Sequence, residues 1–348
     1  MRDFDPKNQH SQKKLIIFSK YLQRYLNVLG GKCPSIRVYD MFAGRGKYNG
    51  SPGSAVRAVD IIKEYRSKNS ECDVQLYLNE KDAANYSSLC QNIDLQAHKQ
   101  WLTCTQEDAN DMVAEYLSGH DKSYRLFFLD PFGYTQISKK TVDDICNRRR
   151  SECLWFIPAS SMARFVSIAN QVEGLERFME EYGITFEVGQ EENITWKWLT
   201  ILKDAFDRNY PDHYVSVAKL KVAHGIYALY FITRHIRGLD KFVETVNWVA
   251  EQNQSQFELF NYTEDDDAIL QFLSVERSNN EVYEWMLKQG RSPKSARRIL
   301  MEMERKGEIN VRPNDSVQRR RKGDFYLGYR YYQEESSRIM IQSAHVGN

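Results

Sequence analysis

The stretch from Arg37 to Gly46, Arg-Val-Tyr-Asp-Met-Phe-Ala-Gly-Arg-Gly, constrains this chain more than any other. Ile36, Val38 and Met41 mark a buried strand whose polar end is Asp40. Gly44 and Gly46 follow in a turn, and two glycines two apart let backbone approach a ligand with no Cβ in the way. Strand, acid, Gly-rich turn and helix is how open α/β sheets hold a nucleotide-like ligand at the carboxyl ends of their strands. The third glycine of the dinucleotide fingerprint is absent, and no Gly-Lys-Ser/Thr follows, so neither that fold nor a P-loop is indicated. A tight turn in an unrelated α/β domain would carry the same glycines, so the rest of the chain must decide.

Composition narrows the class. The 348 residues suffice for one large domain and a small one, with 42% hydrophobic residues to fill a core. No apolar run approaches the ~20 residues that span a membrane. The start, Met-Arg-Asp-Phe-Asp-Pro-Lys, has no apolar signal region, so a cytoplasmic protein without membrane partners is expected. The six cysteines are scattered without a Cys-x-x-Cys pair, which reads as reduced thiols and no metal site. A net charge of +1 gives no nucleic-acid signal for the chain as a whole.

Taken in order, Leu15, Ile16, Tyr21, Leu22, Tyr25, Leu26 and Leu29 recur at helical spacing, so an amphipathic helix over 11–29 is expected to cover the sheet edge. Lys47 to Gly53 is loop by composition, either a mobile lid over the ligand or a solvated connector. Val74–Leu78 alternates as a second strand and leads into Asn79-Glu80, where a carboxylate can accept two bonds side by side from ribose hydroxyls. A third strand near Trp101–Thr105 leads to Asp108, placed to accept from an adenine amine, to cap the next helix, or both.

Tyr124–Leu129 is a continuous apolar run, as a central parallel strand requires, and ends in Asp130-Pro131-Phe132-Gly133-Tyr134. The spacing predicts a helix over 141–150 with a basic end, Arg148-Arg149-Arg150. A fifth strand over 153–157 follows, then a helical insertion over about 162–212. Two β runs, 214–222 and 226–233, are expected to pair as a hairpin around Ala223-His224-Gly225, with His224 a turn residue rather than a base. A helix over 240–251 leads to a polar, acidic linker over 252–268.

The remainder has another composition. A short helix over 280–290, a second opened by Ser292-Pro293, and β runs at 309–311 and 325–331 predict a winged helix-turn-helix. Between 288 and 330 there are 13 Lys/Arg and 5 Asp/Glu, an excess of 8. Arg297 and Arg298 fall on the second helix, and Arg319, Arg320, Arg321 and Lys322 in the wing, the footprint of a phosphate-backbone site. A protein-binding winged helix remains the other reading.

Asp40-x-Phe42-x-Gly44-x-Gly46 resembles the first motif of class I S-adenosylmethionine (SAM) methyltransferases. Asp130-Pro131-Phe132-Gly133-Tyr134 resembles the Asp/Asn-Pro-Pro/Phe-Tyr/Phe motif of those that modify exocyclic amines, and its Asp-Pro-Phe-Gly is similar to that of the tRNA guanine-N2 dimethyltransferases. Together with the N-terminal helix, Gly53-Ser54, Asn79-Glu80 and Tyr227–His235, these motifs resemble the bacterial three-Cys-motif partner (TcmP) proteins over residues 10 to 250. The resemblance implies a Rossmann-like class I methyltransferase sheet with a helical insertion (1–255), while the winged helix (269–335) rests on its own residues. It implies SAM as cofactor, held by Asp40, Phe42, Gly44, Gly46, Glu80 and Asp108. Asp130, Pro131, Phe132 and Tyr134 would then act on a base amine of DNA or RNA. A catalytically silent SAM-binding partner of a three-Cys-motif protein is the alternative.

Overall fold

The computed structural model describes residues 9–119, 121–186, 194–222, 225–252, 257–259, 266–314, 320–334 and 336–344; His224 and Arg319 lie outside them. The chain opens with helix α1 (Gln9–Leu29). The strand with the sharpest sequence signal, β1 (Ser35–Asp40), follows and is buried over most of its length. Lys47 to Pro52 is not a loop but a small hairpin, β2 (Lys47–Tyr48) against β3 (Ser51–Pro52). Asn49 and Gly50 both have positive φ, 47° and 82°, as the two-residue primed turn of a hairpin demands. Helix α2 (Ser54–Lys68) and strand β4 (Asp73–Asn79) complete the first β-α-β unit.

Capping residues then set the element boundaries. Asp82 accepts from the Asn85 N–H and starts α3 (Ala83–Asn92); a short α4 (Leu95–His98) precedes β5 (Leu102–Thr105). Asp108 caps α5 (Ala109–Ser118), and β6 (Tyr124–Leu129) follows. Ser138 caps α6 (Lys139–Asn147), which ends before the three arginines, so Arg148–Arg150 lie in the loop to β7 (Ser151–Ile157) and not on the helix. The insertion holds α7 (Ala159–Phe165), α8 (Glu173–Tyr182) and α9 (Ile194–Asn209). Strands β8 (Tyr214–Val222) and β9 (Gly225–Thr233), helix α10 (Ile236–Gln252) and a short β10 (Phe257–Leu259) close this part. That last strand lies in the stretch expected to be linker and adds to the sheet edge by pairing with β8.

The sheet order is β10-β8-β9-β7-β6-β1-β4-β5. Strands β5, β4, β1, β6 and β7 run parallel, and β9 is antiparallel to both β7 and β8. The hairpin ending expected from sequence is therefore present, within a mainly parallel, Rossmann-like α/β sheet. Alternate residues of each strand feed opposite cores: Val38 joins α1, α2 and α10 on one face, and Tyr39 joins α5 to α9 on the other. Helix α1 packs on that first face rather than over an edge, with Phe18 stacked on Phe128 of β6 at 4.3 Å and Tyr21 edge-on to Phe231 of β9 at 4.9 Å.

The C-terminal unit has its own small core around Val282, Met286, Leu300, Met303 and Ile341. It runs α11 (Asp266–Phe272), β11 (Arg277–Ser278), α12 (Asn279–Lys288), α13 (Pro293–Lys306), β12 (Ile309–Pro313), α14 (Tyr329–Tyr332) and β13 (Ile339–Ser343). A capping box of Ser278 and Glu281 starts α12. Ser292 with Pro293 starts α13, and Gly307 at φ +76° ends it. The strands order as β11-β13-β12. The sequence places the last strand at 325–331, but that stretch is irregular chain and α14, and the pairing strand is β13. Phe325 is drawn into the core instead, 1% exposed. Helix α12 docks the unit on the sheet domain: the Tyr283 hydroxyl donates to Asp240 of α10 at 3.0 Å, and Leu287 enters the larger core.

Candidate functional site

The carboxyl ends of β1, β4 and β6 bring together Asp40, Glu80 and Asp130, where the chain leaves β1 for one side of the sheet and β6 for the other. This is the switch point at which such sheets bind ligands. Asp40 is fully buried, and burial pushes its carboxyl up to about 7, opposed by a Ser54 hydrogen bond and helped by the nearby Asp130 charge. Its Oδ1 accepts from the Phe42 N–H at 3.4 Å, while its Oδ2 is buried with no hydrogen-bond partner among the described residues. An orphaned acceptor of this kind costs free energy unless a donor reaches it.

Glu80 shapes the glycine turn directly. Its Oε2 accepts from the Gly44 N–H at 2.9 Å and its Oε1 from the Asp82 N–H at 2.9 Å. Burial raises its pKa, and these two amides oppose the rise. Gly44 and Gly46 have φ of +62° and +78°, which side chains rarely adopt. A Cβ on Gly44 would also collide with the Tyr48 hydroxyl, and one on Gly53 with the Tyr48 ring. Tyr48 thus lies from the hairpin across both glycines, and its burial raises its pKa to about 12. The expected lid or connector is a structured cover with one aromatic on the turn.

Asn79 ties the strand tips. Its amide donates to the Glu107 carbonyl at 3.0 Å and accepts from the Glu107 N–H at 3.1 Å and the Thr105 hydroxyl at 2.9 Å. Asp108 caps α5, accepting from the Asn110 N–H at 2.9 Å, and pairs with Lys81 at 2.9 Å.

At the tip of β6, Asp130 meets a residue that the apolar pattern of α1 hides. Lys14 donates to Asp130 Oδ1 at 2.7 Å and lies 2.6 Å from Oδ2; it is nearly buried and also sits over the Phe156 ring at 4.4 Å. The available signal is position: Lys14 lies four residues before Phe18, in line with Tyr21, Leu22 and Tyr25, so a cation occupies the buried stripe. Pro131 is buried, whereas Phe132 is 76% exposed. Tyr134 turns toward the insertion, edge-on to Phe178 at 6.0 Å.

The basic residues of the C-terminal unit divide. Arg320 is not a surface cation: it forks onto Glu304 at 2.6 and 2.9 Å, lies over Phe325 at 5.0 Å and is nearly buried. Arg297 is tied to the Gly323 carbonyl at 3.1 Å and to Asp324 at 3.2 Å. Arg298, Arg321 and Lys322 are exposed. Among the described residues no group of three or more His, Cys, Asp or Glu is placed to hold a metal, and no helix is long and apolar enough to cross a membrane.

No protein-family model matches the chain, and no curated protein matches it in sequence. Solved structures resemble it distantly. A Legionella pneumophila protein is 13% identical with a TM-score of 0.42, covering 73% of this chain and 97% of its own. The delta-N METTL16 methyltransferase domain is 8% identical at 0.32, covering 62% and 82%. Pyrococcus horikoshii TYW2, in complex with MeSAdo, is 15% identical at 0.26, covering 67% and 65%. Scores this low decide nothing about this chain. Its strand order and hairpin ending define the class: a mixed α/β protein with a mainly parallel, Rossmann-like sheet.

Proposed function

We propose that this chain is a SAM-dependent methyltransferase acting on an exocyclic amine of a nucleic-acid base, with the C-terminal unit as a winged helix-turn-helix that holds the nucleic acid. The observation that carries the reading is the meeting of Asp40, Glu80 and Asp130 at the switch point, beside an exposed Phe132. The residues fit the cofactor: the buried, partnerless Asp40 Oδ2 suits a donor such as an amino group. Glu80 keeps a second lone pair on each oxygen for ribose hydroxyls, and Asp108 would take an adenine amine. When bound, SAM supplies a methyl group made electrophilic by its sulfonium. Asp130 accepts a hydrogen bond from the attacking amine and takes the proton that the nitrogen sheds once methylated. That contact strengthens as positive charge develops on nitrogen, so it favours the transition state over the ground state. Pro131 stiffens the loop, Phe132 stacks on the base, and Lys14 fixes the orientation of the Asp130 carboxylate.

One observation favours a second reading, a catalytically silent SAM-binding partner of a three-Cys-motif protein. Lys14 spans both oxygens of Asp130, so a cation already occupies the acceptor positions that a substrate amine would need. Transfer from labelled SAM to bulk DNA, tRNA and protein, with and without a three-Cys-motif protein, decides between the two. Transfer to nucleic acid is the expected result. A chain that binds S-adenosylhomocysteine and methylates nothing is the silent partner, and a chain that binds no S-adenosylhomocysteine at millimolar concentration overturns both.

A further inference from the structure

On the opposite edge of the same sheet, where the parallel strands begin, lies a cavity of about 990 Å³. The last turns of α1, the starts of β6 and β7, the end of β9 and helix α14 of the C-terminal unit wall it, so both parts of the chain build it. Its walls are strongly and unevenly charged. Lys32, Lys122 and Arg149 line it with no ion-pair partner among the described residues. Arg150 gives its guanidinium to the Lys122 carbonyl at 2.7 Å, Arg234 to the Cys146 carbonyl at 3.2 Å, and Arg237 lies over the Tyr329 ring at 4.9 Å. None of these three meets a carboxylate among the described residues, while Arg148 and Lys241 do, through Asp121 and Glu244.

Six cations facing one cavity repel each other, and a chain of net charge +1 has enough carboxylates to have paired them. Two acids face the cavity and both are tied up: Asp121 pairs with Arg125 and Arg148, and Glu152 is engaged by hydroxyls. Glu152 accepts from the Tyr21 hydroxyl at 2.5 Å and the Thr233 hydroxyl at 2.9 Å, and burial pushes its carboxyl up to about 7. The C-terminal end of α6, at Asn147, explains part of the charge, since cations suit a helix C-terminus. It does not explain Lys32, Arg234 and Arg237, which come from other elements.

We propose that this cavity binds a nucleoside phosphate, either a free nucleotide or the phosphorylated terminal nucleotide of a nucleic-acid strand. The charge requires an anion, and the volume exceeds what a bare phosphate fills while excluding a duplex. The rings of Tyr124 and Tyr329 are each faced by a guanidinium, at 5.0 and 4.9 Å, which makes flat surfaces for a base. Tyr25 and Ser151 also line the cavity, and their buried hydroxyls have no partner among the described residues. The site is separate from Asp40 and Asp130 and does not rest on the methyl-transfer reading.

The test is calorimetry on the full chain with ATP, GTP, ADP, adenosine and pyrophosphate, and fluorescence polarisation with one oligonucleotide carrying a 5′-phosphate or a 5′-hydroxyl. A nucleoside di- or triphosphate, or the 5′-phosphorylated strand, is expected to bind at least ~10-fold tighter than its unphosphorylated counterpart. The double variant Lys122→Glu/Arg149→Glu should weaken that binding by at least ~10-fold, because both cations become repulsive, with S-adenosylhomocysteine binding and thermal unfolding unchanged. Preference for the free nucleotide assigns an effector site, and preference for the phosphorylated strand assigns a strand-end site. Three results overturn the proposal: no nucleoside phosphate of either kind binding at millimolar concentration, pyrophosphate binding as tightly as any nucleotide, or affinity unmoved by the double variant.

Discussion

The two edges of the central sheet carry opposite charge. At the edge where strands end, Asp40, Glu80 and Asp130 converge beside the glycine turn; at the edge where they begin, Lys122, Arg149, Arg150, Arg234 and Arg237 face a cavity. Alternating β-α units produce part of this by themselves. Helices start at the first edge, where carboxylates cap their free N–H groups as Asp82 and Asp108 do, and end at the second, where cations suit exposed carbonyls. What the helices do not require is the more informative part. Among the described residues, that is on the acidic edge a buried carboxyl with an unpartnered oxygen, and on the basic edge a set of cations without carboxylates. The same sheet therefore offers a site for a ligand that donates hydrogen bonds and another for a ligand that carries negative charge.

The contrast can be broken most severely at Asp130. If the acidic edge is catalytic, Asp130→Ala should lower methyl transfer by ~10²–10³-fold with S-adenosylhomocysteine binding nearly intact, and Asp130→Asn should keep part of the rate. An alanine variant with an unchanged rate removes Asp130 from the chemistry.

The next effect compares one buried carboxyl from each edge. Glu152 and Asp40 are both pushed up to about 7 by burial, from ordinary values of 4.5 and 3.8. A raised carboxyl pKa means that the folded state holds the proton more tightly than the unfolded chain. Its contribution is then fully present below about pH 4 and is lost as pH rises toward 7. For Glu152 the loss is on the order of 3 kcal/mol across that window. Denaturant unfolding from pH 4.5 to 8 should show it, and Glu152→Gln, which keeps the shape and cannot ionise, should flatten the slope. An equally steep slope in Glu152→Gln would place the burial cost elsewhere.

A smaller change is expected from Glu80→Ala. It should weaken S-adenosylhomocysteine binding by about 1.5–3 kcal/mol in calorimetry, both by losing an acceptor and by freeing the Gly44 amide. Unchanged affinity would remove Glu80 from the cofactor site. The smallest effect on ligand binding belongs to the C-terminal unit. Neutralising the exposed Arg321 and Lys322 should lower the salt slope of nucleic-acid binding by about 2, without altering sequence preference. Arg320→Ala instead should lower stability by about 3 kcal/mol, because it strands Glu304 in a largely buried pair. If Arg321 and Lys322 leave binding untouched, the unit docks protein.

Local chemistry was legible in the sequence, and pairing was not. The strand of Val38 to Asp40, the glycine turn at 44 and 46, and the Ser292-Pro293 helix start are each written in a few neighbouring residues, because hydrophobic periodicity and backbone sterics act over short range. Glu80 and Asp130 could be placed at strand tips for the same reason. Boundaries fared worse: Asn49-Gly50 makes a hairpin inside an apparent loop, and the strand expected at 325–331 falls at Ile339–Ser343, because Phe325 is worth more to the core than to a ladder. Which charges meet was decided only by tertiary packing. Lys14 finds Asp130 across 116 positions, Tyr21 finds Glu152 across 131, and Arg320 is withdrawn into a pair with Glu304. Burial changes what a charged group is worth, and burial depends on how the layers stack, so a count of basic residues could locate a charged segment but could not tell a phosphate contact from a structural ion pair.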